Sequence, residues 1–255
     1  MAVRLCISGA CGRMGKTIAT LALEDSRFAL TAALEGPDHP DIGKDYGLVL
    51  GRAHPLGIFV TKDLDAAVKS SDVVIEFTSP EATATHAGAV ACHKKPLVIG
   101  TTGLDDRQVQ ALRAAAETIP VVFSPNMSIG MNVLFELAKI AAERFGLDYD
   151  VGVFEMHHKQ KKDAPSGTAK WLVEALANGR KEKPSAIQAP YFRGGTIVGD
   201  HTVVLSGRGE YLELRHIALD RSIFAQGALR AARFIANAKQ PGLMDMSDVL
   251  KSATA

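Results

Sequence analysis

The chain has 255 residues, with 29 lysines and arginines against 28 acidic residues and a formal net charge of +1. That balance gives no electrostatic case for nucleic-acid binding over the whole surface, and no apolar run approaches the ~20 residues that span a bilayer. Cys6, Cys11 and Cys92 lie in the first half without C-x-x-C spacing, which argues against a disulfide framework or zinc ribbon, and the chain enters a strand directly, so a cytoplasmic enzyme with reduced thiols is expected, with neither nucleic-acid nor membrane partners.

In chain order, Val3–Ser8 predicts a short apolar strand, followed at once by Gly9-Ala10-Cys11-Gly12-Arg13-Met14-Gly15. Thr17, Ile18, Ala19, Leu21, Ala22 and Leu23 then give an amphipathic helix. Glycines at 9, 12 and 15 allow a tight turn, bring amides against a pyrophosphate and let helix pack on strand. A second strand, Leu30 to Leu34, ends in Glu35, 20 residues after Gly15, where a dinucleotide fold places the carboxylate that binds ribose hydroxyls. The spacing is G-x-x-G-x-x-G rather than G-x-G-x-x-G, so a structural turn with a chance acidic residue is the competing reading.

A Gly/Pro/Asp-rich loop from Gly36 to Gly57 follows, with a weak strand at 58–60 and a short helix at 63–68. Apolar runs at 72–78, 96–99 and 121–123 predict strands, and helical patterns at 81–92 and 105–117 separate them. Gly100-Thr101-Thr102-Gly103 and Ser124-Pro125-Asn126-Met127 stand at C-terminal strand ends, where ligands bind in doubly wound parallel sheets.

After a helix at 132–145 the pattern changes. Strands at 149–155, 196–206 and 210–219, with one helix at about 166–178, predict a smaller mixed α+β domain. A long helix at 220–238, ended by Gln240-Pro241-Gly242, closes the chain. The predicted fold class is α/β: a Rossmann-like doubly wound parallel sheet from residues 1–128 and 220–255, plus a mixed α+β domain from 129–219 for substrate and oligomerisation.

The segment Phe154 to Thr168 concentrates chemistry. His157 and His158 can give or take a proton near neutral pH, and Lys159, Lys161 and Lys162 supply fixed positive charge. The turn Pro165-Ser166-Gly167 opens a helix whose free amides suit carboxylate or phosphate oxygens. A solvated basic loop is the bland alternative; adjacent histidines and the Pro-Ser-Gly-Thr close weigh against it. His157-His158 adjacency is not the i, i+4 pair of a helical zinc site, and no metal is expected.

Taken with the glycine turn, Gly100-Thr101-Thr102-Gly103, Glu155-Met156-His157-His158 through Lys161, and Asp163-Ala164-Pro165-Ser166-Gly167-Thr168-Ala169, the chain resembles the 4-hydroxy-tetrahydrodipicolinate reductase (dihydrodipicolinate reductase) family over nearly its whole length. The resemblance implies reduction of a cyclic imine dicarboxylate by NADH or NADPH in lysine and diaminopimelate biosynthesis. It implies that His157 donates a proton with Lys161 as its partner, and that His158, Gly167 and Thr168 hold the substrate carboxylates. It assigns the pyrophosphate turn to Gly9, Ala10, Cys11, Gly12, Arg13 and Met14, the ribose to Glu35, and the nicotinamide to Gly100, Thr101, Thr102, Ser124, Pro125, Asn126 and Met127. A homotetramer built on the second-domain sheet is implied too, with exposed strand segments Val203–Leu205 and Leu212–Leu214 as compatible surfaces.

One departure bears on the cofactor. Many members carry Arg directly after the ribose-binding Glu, whereas this chain has Gly36 followed by Pro37 and Asp38. NADH is therefore expected to be used at least as well as NADPH, with Arg13 and Lys16 as cations near the turn that favour phosphate. Another Rossmann oxidoreductase would share only the first half, and a non-catalytic dinucleotide sensor is separated from an enzyme only by an assay.

Overall fold

The computed structural model describes residues 1–238 and 240–252. It divides into two compact units, Met1–Met127 with Phe224–Ala255, and Ser128–Ile223. Of the expected 220–255 segment, residues 239 and 253–255 lie outside the described residues.

In the first unit, β1 (Val3–Ser8), α1 (Arg13–Leu23) and β2 (Phe28–Leu34) form the expected strand–helix–strand. They are followed by α2 (Tyr46–Val49), β3 (Val60–Thr61), α3 (Leu64–Lys69), β4 (Val73–Glu76) and α4 (Pro80–Cys92). Next come β5 (Leu97–Ile99), α5 (Asp106–Ala116) and β6 (Pro120–Phe123). The starts of α3, α4 and α5 are fixed by N-cap side chains, Asp63, Ser79 and Asp105, each accepting a first-turn amide. Strand order is β3–β2–β1–β4–β5–β6, extended by β11 (Gly242–Met244) beyond β6, and every pairing is parallel. The order reverses between β1 and β4, the switch point at which doubly wound sheets bind ligands beyond their strand ends. Leu5, Ile7, Val74, Ile75, Leu97 and Ile99 are buried, as continuous apolar strands covered on both faces require.

In the second unit, α6 (Ile129–Phe145), β7 (Asp150–His157), α7 (Gly167–Arg180), β8 (Tyr191–Arg193), β9 (Gly199–Gly207) and β10 (Glu210–Ala218) make a four-stranded sheet, order β10–β9–β7–β8, with two helices. β7 and β8 are parallel and the other pairs antiparallel, so this sheet is mixed. The chain closes with α8 (Ser222–Ala236), β11 and α9 (Met246–Lys251).

Four elements, α2, β8, β11 and α9, lie where the sequence reading has no element. All are short: three or four residues except α9, with six. β7 also runs past residue 155, so His157 itself belongs to the strand.

The expected exposure of Val203–Leu205 is corrected. Val203 and Leu205 are fully buried in the core formed with Leu134, Val153, Leu172 and Leu176. Register explains this: Leu212 pairs with Leu205 and Leu214 with Val203, so all four side chains project to the helix-covered face. The opposite face carries Phe154, Phe192, Tyr211 and Ile217, all exposed.

Candidate active site

At the C-terminal ends of β1, β2 and β4 lies a cleft of about 510 Å³, lined by Ser8, Gly9, Cys11, Gly12, Glu35 and Thr78 among others. The glycine turn is shaped by close approach. Gly9 has φ +76°, and a Cβ there would overlap the Phe77 carbonyl; one at Gly15 would overlap the Gly9 carbonyl. The amides of Gly9 and Ala10 both donate to the Leu34 carbonyl at 3.0 Å, which ties the turn to the end of β2. Glu35 accepts from the Cys11 amide at 2.8 Å and the Gly36 amide at 2.9 Å, so its carboxylate stands between the turn and the next loop. Helix α1 starts at Arg13 with Gly12 as N-cap, and no side chain caps its first-turn amides. The Cys11 thiol is pushed up to about 11, by burial and then by the charges of Glu35 and Asp41, and so stays un-ionised.

Beneath this cleft sits a polar network. Glu76, fully buried at the end of β4, accepts from the Thr78 hydroxyl and lies 3.0 Å from His86 Nδ1. Burial opposes charge on His86, but the Glu76 carboxylate outweighs it and raises the ring above the ordinary histidine value. Buried Thr101 receives the Thr78 amide at 3.1 Å and the Thr83 hydroxyl at 2.8 Å. Gly100 makes room for the Phe77 ring, which a Cβ would overlap.

Of the sequence-predicted cofactor residues, Gly9, Cys11, Gly12 and Glu35 line the cleft, and Thr101 joins it through Thr78. Ala10, Arg13, Met14, Gly100, Thr102, Ser124, Pro125, Asn126 and Met127 are not among its walls. Ser124 closes a turn onto the Asn126 carbonyl at 2.9 Å, and Met127 is buried in the core. His39, Lys62, Phe77 and His86 line the cleft without a motif to announce them; only their nearness to strand ends hints at it.

The second cluster lies in the other unit. Glu155 and His157, two apart on β7, share its buried face. The Glu155 carboxylate, fully buried, meets Arg193 Nη2 at 2.7 Å and Nη1 at 2.8 Å, the Ser166 amide at 3.0 Å and His157 Nδ1. Burial works against its ionisation, but Arg193, the Ser166 amide and His157 outweigh it and hold the carboxyl below the ordinary glutamate value. Burial lowers His157, with Lys161 and Arg193 adding to the effect against Glu155. His201 of β9 meets the His157 ring edge-on at a 5.1 Å centroid distance, and its Nε2 lies 3.4 Å from the Ser166 hydroxyl.

Beyond β7 the chain forms a short loop. Lys161 pairs with Asp163 at 2.9 Å, and the Asp163 carbonyl accepts from Arg193 at 2.7 Å. Ser166 caps α7 by accepting the Ala169 amide, so Gly167 and Thr168 occupy its first two positions. Gly167 faces open space, with nothing within 4 Å of an added Cβ. His158 is half-buried, and its Nδ1 is buried without a hydrogen-bond partner among the described residues. The structure therefore brings His157, Lys161, Gly167 and Thr168 into one neighbourhood with Glu155 of the same motif, and adds Arg193 and His201, which sequence spacing does not reveal.

Among the described residues, two groups could offer ligand atoms to a metal, Cys11 with His39 and Asp41, and Glu155 with His157 and His201. In the second, Arg193 already engages both carboxylate oxygens, and its charge opposes a cation there.

Comparison with known proteins covers both units. The family model described as dihydrodipicolinate reductase, N-terminus, matches residues 3–127, and that described as dihydrodipicolinate reductase, C-terminus, matches residues 130–250. A 4-hydroxy-tetrahydrodipicolinate reductase of Thiobacillus denitrificans is 44% identical, over 98% of this chain and 99% of the relative. One from Anaeromyxobacter sp. is 47% identical over 97% of each. Among solved structures, a dipicolinate-bound dihydrodipicolinate reductase from Paenisporosarcina sp. matches with a TM-score of 0.78 at 26% identity, over 96% of this chain and 98% of that one.

Proposed function

The chain belongs to the dihydrodipicolinate reductase family, and from that premise we propose how its own residues perform the reaction. It is an enzyme that reduces 4-hydroxy-tetrahydrodipicolinate to tetrahydrodipicolinate with a nicotinamide dinucleotide, a step of lysine and diaminopimelate biosynthesis.

The first unit is the dinucleotide-binding domain. Its fit rests on the uncapped N-terminus of α1 beside the glycine turn and on the Glu35 carboxylate in the adjoining cleft. Amides of Arg13 and Met14 suit the pyrophosphate, with Gly9, Ala10, Cys11 and Gly12 shaping the turn; Glu35 suits ribose hydroxyls. Gly100, Thr101, Thr102 and the 124–127 turn serve the nicotinamide end. When bound, the nicotinamide supplies a hydride.

The second unit holds the substrate. A dianion needs fixed positive charge and oriented donors, which the Lys161 ammonium and the Gly167 amide, both engaged by Asp163 here, would offer together with His158 and Thr168 at the start of α7. His157 is the proton donor as negative charge develops on the substrate, with Lys161 beside it in that step. The observation that carries this reading is His157 itself: a buried imidazole with Nδ1 engaged by Glu155, four residues from a lysine and next to a helix start. Two incoming carboxylates oppose the effects that lower its proton affinity, so the proton arrives with the substrate.

NADH serves at least as well as NADPH, because residue 36 is Gly and supplies no guanidinium beside Glu35. The enzyme acts in the cytoplasm as a homotetramer, joined through the outer face of the second-unit sheet; Phe154, Phe192, Tyr211 and Ile217 there support that reading. The test is spectrophotometric: oxidation of NADH and of NADPH with the imine generated in situ by the preceding synthase. Folded protein that binds nucleotide yet turns over neither cofactor contradicts the assignment.

A further inference from the structure

We propose that Glu155 is a positioning residue of the acid site: with Arg193 and the Ser166 amide it locks His157 in the Nδ1–H tautomer and so makes Nε2 the atom that carries the transferable proton. The inference rests on the reading of His157 as the proton donor.

A carboxylate that keeps its charge only accepts hydrogen bonds. Glu155 sits against a guanidinium fork and a backbone amide, neither of which can accept, so its ionised form is the one the surroundings stabilise. The nitrogen of His157 that faces it must therefore be an N–H, and that nitrogen is Nδ1. A neutral imidazole has one N–H, so the lone pair falls on Nε2, and a second proton binds there.

The clamp is built from three elements that the sequence separates. Glu155 and His157 come from β7, Arg193 from β8 paired directly beside His157, and Ser166 from the N-cap of α7. Arg193 spans both carboxylate oxygens, the Ser166 amide adds to Oε1 and His157 Nδ1 meets Oε2, so the oxygen facing the imidazole is held in place. Nε2 makes no hydrogen bond among the described residues. It borders Gly199 of β9, where an added Cβ would come within 3.1 Å, so the neighbouring strand keeps this side uncrowded. The groups facing the imidazole are thus Glu155 from its own strand, Arg193 from β8, His201 from β9 and Lys161 from the following loop.

Nitrogen-15 NMR of histidine-labelled protein, with His157 assigned from the His157→Gln spectrum, reads the tautomer directly. The wild-type protein should show Nδ1 protonated and Nε2 bare at neutral pH; a predominant Nε2–H tautomer overturns the proposal. Glu155→Gln should lose that single tautomer and lower kcat about tenfold or more, with the KM for either cofactor within threefold. Wild-type kcat in Glu155→Gln also overturns it. Should that variant not fold, Arg193→Lys keeps the charge, removes the fork and should give the same loss in milder form; an unchanged tautomer and kcat there count against the clamp. His157→Gln separates the two readings: undiminished turnover in that variant removes the acid role, whereas the tautomer still reports whether Glu155 sets the ring.

Discussion

Tyr46, fully buried on α2, donates its hydroxyl hydrogen to the carbonyl of Ala10 at 2.6 Å and thereby joins the long loop after β2 to the glycine turn. Asp45 anchors the same loop by accepting the amides of Gly47, Leu56 and Gly57 at 2.7–2.9 Å. Those amides hold the Asp45 carboxyl below the ordinary aspartate value. A loop that reads as irregular Gly/Pro/Asp sequence is thus a brace for the glycine turn.

Tyr46→Phe removes one buried hydrogen bond while keeping the ring. The Ala10 carbonyl then stays buried without that donor, a cost of about 1–3 kcal/mol. Urea unfolding should show that loss, and the cofactor KM should rise with kcat little changed. Unaltered stability and KM together would mean that the hydroxyl contributes nothing to the turn.

Variants of the second unit and of Thr101 should differ in kind. On the roles proposed for them, His157→Gln and Lys161→Ala remove an acid and a cation from the reacting centre, so kcat should fall by about 10²-fold or more. Thr101, held by the Thr78 amide and Thr83 hydroxyl, is proposed to serve the nicotinamide end, and on that reading Thr101→Ala should chiefly raise the cofactor KM. Steady-state kinetics with both substrates varied distinguishes the patterns; wild-type kcat for His157→Gln across the accessible pH range contradicts an acid role.

His201 predicts an acid-sensitive fold. Burial, then the neighbouring His157, pushes it down to about 3, with Glu155 and Asp200 opposing and His216 reinforcing. An unfolded histidine titrates near the ordinary value of 6.5, so as pH falls the unfolded chain binds a proton first. Stability is therefore full above pH ~6.5 and falls progressively toward pH ~3, by about 1.4 kcal/mol for each pH unit of that window at most. His201→Gln should flatten this part of the curve when denaturant unfolding is followed against pH. An identical slope in the variant assigns the acid sensitivity to other groups.

The contrast between the two sites shows what a sequence exposes. The glycine turn, Glu35 and the His157–Lys161 segment are legible because each is local: the spacing along the chain is the spacing in the site. Glu35 reaches the Cys11 amide across paired neighbouring strands, which the strand–turn–helix pattern itself implies. Arg193 is 38 residues from Glu155 and arrives on a three-residue strand, too short for any periodicity to detect. His201 depends on the antiparallel register of β9 on β7. The misplaced exposure of Val203 and Leu205 has the same origin, since alternation reveals two faces without saying which one the helices cover.

Cofactor choice turns on charge beside Glu35. A 2′-phosphate on the ribose would meet the Glu35 carboxylate with no guanidinium from residue 36, so NADH should be used at least as well as NADPH. Gly36 is exposed, with nothing within 4 Å of an added Cβ and an ordinary backbone conformation, so Gly36→Arg should be accommodated without strain. A well-placed guanidinium offers a bidentate, charge-assisted contact worth roughly 1.5–3 kcal/mol, which is about a tenfold to hundredfold shift in relative kcat/KM toward NADPH. Lys62, on the wall of the same cleft, joins Arg13 and Lys16 near the turn as a cation that competes with this expectation. Lys62 is exposed and free to swing toward a phosphate, whereas His39 accepts the Asp41 amide at 3.3 Å and is committed to its own loop. Measuring kcat/KM for both cofactors in the wild-type protein, Gly36→Arg and Lys62→Ala separates the contributions. A wild-type preference for NADPH above about tenfold, equivalent to ~1.4 kcal/mol, that disappears in Lys62→Ala would show that the lysine has taken over the missing arginine's role.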